Sequence, residues 1–165
     1  MTASRYGEKA LSSRAGQRGG AALEFALILP LLILLTYGMI VYAYIYVIQE
    51  SINFAAQEAA EAAVAVDPTI QNYAEVVTTQ SRASAVQVLS WMPAAQRQRV
   101  LGNNGSQVQV SISPSATTPD QNIVTVVMTF TMNTPSPLFM QLNLPFIGET
   151  PPVPNLLSAT GVATL

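Results

Sequence analysis

Apolar and polar positions divide this chain into stretches with different periods. A polar leader gives way to an unbroken apolar run from Phe25 to Ile48, FALILPLLILLTYGMIVYAYIYVI, twenty-four residues without a charge. As a helix this run is roughly 36 Å long, enough to cross a hydrocarbon core of about 30 Å. Pro30, Thr36 and Gly38 lie inside it and are compatible with a membrane helix, where neighbours satisfy the freed backbone groups. A secretory signal core is shorter, about 7–15 residues, and is followed by a small-residue cleavage site. Charge-free runs of about 18 residues or more point to a span, and away from the buried helix of a soluble domain.

Beyond the run the pattern stays helical but becomes one-sided. Ile48, Ile52, Ala55, Ala59, Ala62 and Val66 recur at spacings of three and four, with Gln57, Glu58 and Glu61 on the other face. Asp67-Pro68 predicts a boundary, because proline disfavours helix at the residue before it. One helix from Gly20 to Val66 would be roughly 70 Å long. A second helix is expected over residues 69–90, with Tyr73, Val76, Val77, Ala83, Val86 and Leu89 as its apolar positions. Trp91, Met92 and Pro93 close it, a short helix follows over 94–101, and Gly102-Asn103-Asn104-Gly105 makes a turn.

The period then changes to two. Val108, Val110 and Ile112 alternate with Gln107, Gln109 and Ser111, a half-buried strand. After a polar connection over 114–120, the β-branched stretch 122–132 reads as its hairpin partner. From Thr134 prolines crowd the chain, and no regular structure is expected before Leu156, where a last edge strand begins. This proline-rich loop is unusually apolar: Leu138, Phe139, Leu142, Leu144, Phe146 and Ile147 either pack on the sheet, the favoured reading, or form a contact surface.

Charge adds an orientation. Half of the residues are apolar, only 10% are charged, and the net charge is −2. Arg5, Lys9, Arg14 and Arg18 precede the apolar run, with Glu8 as the acid among them. Such a basic flank belongs inside the cell, which puts the N-terminus inside and the C-terminus outside. Tyr42, Tyr44 and Tyr46 crowd the far end of the run, where amphipathic rings favour the headgroup region. No basic surface suited to nucleic acid remains after Gly20.

The junction before the run carries the sharpest chemistry: Arg18-Gly19-Gly20-Ala21-Ala22-Leu23-Glu24-Phe25, then Ala26-Leu27-Ile28-Leu29-Pro30. A flexible glycine pair separates the hydrophilic leader from the helix, and one carboxylate follows just inside it. A charge there is costly unless it snorkels or finds a partner. A cut between Gly19 and Gly20 would create a positive amino terminus and make Glu24 the fifth residue, one helical turn away. The negative group also suits a helix N-terminus. Alternatively, Glu24 is a headgroup-level residue of an uncleaved anchor.

This junction resembles the class III signal of type IV pilins, a glycine, four small or apolar residues and a glutamate. Glu24-Phe25 and the Ala-Leu-Ile-Leu-Pro that follows are more narrowly similar to TadE-type pseudopilins of the tight adherence (Tad, or Flp) pilus system. The similarity continues through Ile52-Asn53-Phe54-Ala55-Ala56-Gln57-Glu58-Ala59-Ala60, although Gln57 and Glu61 stand where basic residues are common in that family. It covers roughly residues 18–66. The resemblance implies a minor pilin or pseudopilin, cut after Gly19 by a prepilin peptidase. Its partners would be other pilins and the Tad assembly machinery, and its location the bacterial cytoplasmic membrane, with passage to an extracellular pilus after maturation.

Other chemistry finds no support. There is no cysteine or histidine, and no phosphate loop, metal motif or activated serine. Asp67, Glu75, Asp120 and Glu149 are scattered singly, and Asn104-Gly105-Ser106 is better read as a turn than as a glycosylation site. The expectation is therefore a non-enzyme without cofactor, metal or small-molecule substrate. Its fold class is α+β: a long N-terminal transmembrane, pilin-like helix, a second helix and a small antiparallel β-sheet head. The expected organisation is leader 1–19, long helix 20–66 and exported head 67–165. The rival reading is an uncleaved single-pass scaffold or binding protein of the cell envelope.

Overall fold

The structure is a computed structural model that describes residues 13–115, 121–146 and 148–165. Expectations for residues 1–12, for the connection at 116–120 and for Ile147 lie outside the described residues. The first element is the long helix α1 (Ser13–Val64), with Pro30 inside it. From Gly20 onward it is long and apolar enough to cross a membrane. The chain divides into two units, the first ending at Val41 and the second running from Tyr42 to Leu165.

In the second unit, α1 is followed by α2 (Tyr73–Val88), a 3-10 turn over Leu89–Trp91 and α3 (Ala94–Leu101). The sheet has the order β1-β2-β5, formed by β1 (Gln109–Pro114), β2 (Asn122–Thr131) and β5 (Leu156–Thr164), all antiparallel. The mixed α+β class, the hairpin of β1 with β2 and the edge position of β5 agree with the sequence reading. The central strand alternates as a half-covered strand must: Val124, Val126, Met128 and Phe130 are fully buried, and Met132 continues the row.

The buried row of the sheet meets the extension of α1. Ile48, Ile52, Ala55, Ala56, Ala59, Ala60 and Ala63 are buried to within 1%. The apolar stripe expected from spacing is therefore wider, because it adds Ala56, Ala60 and Ala63, while Ala62 and Val66 are only partly covered. Two surfaces share this helix. On one side β5 approaches so closely that a Cβ on Gly161 would overlap the Ala56 carbonyl and crowd the Gln57 amide nitrogen at 2.7 Å. The Gln49 side chain donates to the Ser158 carbonyl of the same strand at 2.9 Å. On the other, the Ser84 hydroxyl of α2 donates to the Glu58 carbonyl at 3.4 Å. Alanine on the helix and glycine on the strand let two backbones meet with almost nothing between them.

Helix α2 starts later than the spacing suggests, at Tyr73 instead of Thr69. Asn72 adopts a left-handed conformation with φ 61°, a state that asparagine tolerates better than most residues. Its carbonyl accepts the first helical bonds, from the Glu75 and Val76 amides. Upstream, Asp67 Oδ1 accepts from the Thr69 amide at 2.9 Å and hydroxyl at 2.7 Å. The backbone bond, then the hydroxyl bond, hold the Asp67 carboxyl below its ordinary pKa. The buried face of α2 also differs: Val77, Ser81 and Ala85 are buried, whereas Val76 and Ala83 are exposed. Small residues on the face that closes on the alanines weaken the hydrophobic signal there. Ser81 Oγ is buried without a hydrogen-bond partner.

The proline-rich segment holds more regular structure than expected. Two short strands, β3 (Leu142–Leu144) and β4 (Gly148–Thr150), pair antiparallel. Pairing of so few residues leaves no period to read, and the flanking prolines obscured it. The approach to this hairpin is clamped by Arg99 of α3, which donates to the carbonyls of Thr131 (3.3 Å), Met132 (3.0 Å) and Ser136 (2.9 Å). The Asn133 amide donates to Asn155 Oδ1 at 2.6 Å, tying the two ends of the segment together.

Candidate functional site

Helix α1 runs through Gly19 and Gly20 without interruption. The expected flexible separation between leader and helix is therefore not seen in the backbone. Two glycines inside a helix cost about 1 kcal/mol each relative to alanine, an amount that a long apolar helix can absorb. A Cβ on Gly20 would meet nothing within 4 Å. Packing against the described residues does not require glycine at that position.

Glu24 lies one turn further, on the same side of the helix, about 6 Å along the axis from Gly20. Its side chain is exposed, and so is that of Phe25. The following turns are equally bare: Leu27, Ile28, Leu31, Leu32, Ile33, Leu35, Met39 and Ile40 are all exposed, Leu31 to 66%. Apolar side chains exposed on every face of a helix require lipid or other helices as their surroundings. The Thr36 hydroxyl turns back on the helix and donates to the Leu32 carbonyl at 2.8 Å, which removes a polar group from that surface. Residues 21–40, the bare part, span about 30 Å as helix, matching a hydrocarbon core.

The three tyrosines do not act as one group. Tyr42 donates its hydroxyl to the Pro152 carbonyl at 2.8 Å. Tyr44 is half-buried, donates to Gln96 Oε1 at 2.6 Å and meets the Phe139 ring edge-on at 5.6 Å. Tyr46 is 74% exposed. Two of the three therefore fasten the head to α1, and Ile45 and Ile48 are buried within the same unit. The sequence pattern showed tyrosines at the end of an apolar run but not their hydroxyl acceptors. The acceptors lie far along the chain, and one is a backbone carbonyl.

Among the described residues no group of three or more Asp, Glu, His or Cys side chains converges as a metal site would. What the junction and helix present is a surface for association: one carboxylate at the start of a bare apolar rod. No curated protein and no solved structure matches the chain. A family model does. Residues 19–61 match the family model of TadE-like proteins, from the Gly19-Gly20 junction through Glu24 and Phe25 to the alanine face of α1, so this segment is similar to that of proteins associated with Tad pili.

Proposed function

We propose that this chain is a pseudopilin, or minor pilin, matured between Gly19 and Gly20 by a prepilin peptidase and used in assembly of a Tad-type pilus. The observation that carries this reading is the bare helix with Glu24 at its start, inside a TadE-like segment that opens at Gly19. Residues 25–48 hold the protein in the cytoplasmic membrane, leader inside and head outside. During assembly the helix leaves the lipid and packs among the helices of other subunits. A free Gly20 amine and the Glu24 carboxylate, one turn apart, supply the polar pair that sets its register there. Of the tyrosines at the outer membrane interface, Tyr46 is free to face the headgroups while Tyr42 and Tyr44 hold the head beside them, and the head makes outward contacts.

The decisive measurement is the N-terminal mass of protein purified from cells that contain the peptidase. A chain beginning at Gly20 is expected, and one still beginning at Met1 overturns the reading. A second reading, an uncleaved anchored scaffold, draws on the continuity of α1 through Gly19 and Gly20. Glu24→Ala separates the two. Under the pilus reading pilus assembly is lost while membrane insertion persists; under the scaffold reading neither changes.

A further inference from the structure

The β3–β4 hairpin and the residues leading into it carry large apolar side chains exposed to solvent. Phe146 at its tip is 108% exposed, Met140 72% and Leu142 44%. Phe146 also has φ 71°, a backbone state that favours glycine or asparagine and is unusual for a bulky residue. A turn that needed only to reverse the chain would hold glycine or asparagine there. A phenylalanine this exposed, with an unfavourable backbone, points to a use outside the fold.

The hairpin's position indicates what that use is. Pro152, just past β4, accepts the Tyr42 hydroxyl, and Phe139, just before β3, packs on Tyr44. Both ends of the hairpin segment are thus fastened to the last turns of the apolar run, not to the far end of the head. Tyr42 and Tyr44 come just after the bare stretch that ends at residue 40, at the level where the hydrocarbon core gives way to headgroups. Elements that lie in a membrane surface bury their apolar face about 5–10 Å into the boundary between headgroups and acyl chains. From residue 138 to residue 152 the sequence holds Glu149 as its one charged side chain and no basic residue.

We infer that the β3–β4 hairpin is a second membrane contact, immersed in the outer headgroup region beside α1 and inserting Phe146, with Met140 and Leu142, among the lipids. The inference rests on the membrane-spanning reading of residues 25–48. The head is then held at two points, and the hairpin leaves the bilayer when the helix does. Without basic residues, this contact needs no anionic lipid.

The test uses full-length protein carrying Trp91→Phe, reconstituted in phosphatidylcholine vesicles, with a single tryptophan placed by Phe146→Trp or, as a reference, by Leu31→Trp. Circular dichroism checks that each variant is folded. At position 146 the inference expects blue-shifted emission, quenching by lipids brominated near the headgroup, and no change when anionic lipid or salt is added. Emission typical of water, without lipid quenching, while position 31 is quenched, overturns the inference and leaves the span intact. A blue shift without lipid quenching that grows with protein density also overturns it, assigning the hairpin to a second protein chain. If position 31 itself escapes quenching, the spanning reading fails, and the inference fails with it.

Discussion

One helix of this protein works in two opposite ways. Between Leu23 and Ile40 it carries leucine, isoleucine and phenylalanine, and nearly all of these large residues are bare; further along, Ala55, Ala56, Ala59, Ala60 and Ala63 are completely covered. The usual association of large apolar side chains with the interior is inverted along a single element. The bare part needs bulk because its surroundings, lipid or other helices, must be met by side chains. The covered part needs the absence of bulk because its surroundings are the backbones of β5 and α2. Hydrophobicity alone does not distinguish these tasks; side-chain volume does.

The sharpest way to break this contrast is at the closest approach. Gly161→Val should prevent β5 from seating on Ala56, with loss of the head's near-ultraviolet circular dichroism and rapid proteolysis after residue 66, while α1 still inserts into membranes. Retention of a protease-resistant head would show that strand and helix do not meet as described. Next comes the sheet's largest buried side chain. Phe130→Ala should destabilise the head by about 3–5 kcal/mol in denaturant unfolding in detergent, whereas Leu31→Ala on the bare stretch should leave that transition unmoved. Equal shifts from both would erase the distinction between the two regions.

Smaller effects follow at the edges of the head. Arg99→Ala removes donors to the carbonyls of Thr131, Met132 and Ser136, and should cost about 1–3 kcal/mol. Amide exchange should rise over residues 132–138 before it rises in β2. The weakest effect is at Asp67, whose carboxyl is held below its ordinary pKa by the Thr69 amide and hydroxyl. A depressed folded-state value means the bonds stabilise the turn above the unfolded carboxyl's pKa, and the stabilisation is lost as pH falls through the lower, folded value. The Thr69 amide resonance should therefore hold its position until strongly acidic pH, and Asp67→Ala should abolish that titration.

Much of this arrangement was legible in the residues, and the parts that were not share a physical cause. The apolar run, the alternation through Val124, Val126, Met128 and Phe130, and the turn at Gly102–Gly105 announce themselves because side-chain chemistry changes with a fixed period. The face of α2 built on Ser81 and Ala85 does not, since small and polar residues there serve close approach. Asn72 moves the start of α2 through backbone conformation, which composition hardly reveals. The β3–β4 pairing is too short to carry a period. At the candidate site, Gly19, Gly20, Glu24 and Phe25 stand out in the sequence because they fall close together in one short pattern. The tethering roles of Tyr42 and Tyr44 depend on Pro152, Gln96 and Phe139, all distant in sequence. Gly161 offered one signal, a glycine inside a strand, which often marks close approach of another backbone.

The meeting of Gly161 with Ala56 also has a temporal consequence. Alanine is the strongest helix former and has almost no rotamer freedom to lose, so the spine of the head can exist before anything covers it. Its cover includes β5, more than a hundred positions further along the chain, as the Gln49–Ser158 bond illustrates. A head emerging during synthesis would therefore remain open until that strand arrives. Closure of β5 against a waiting helix would then be a late event in the folding of the head.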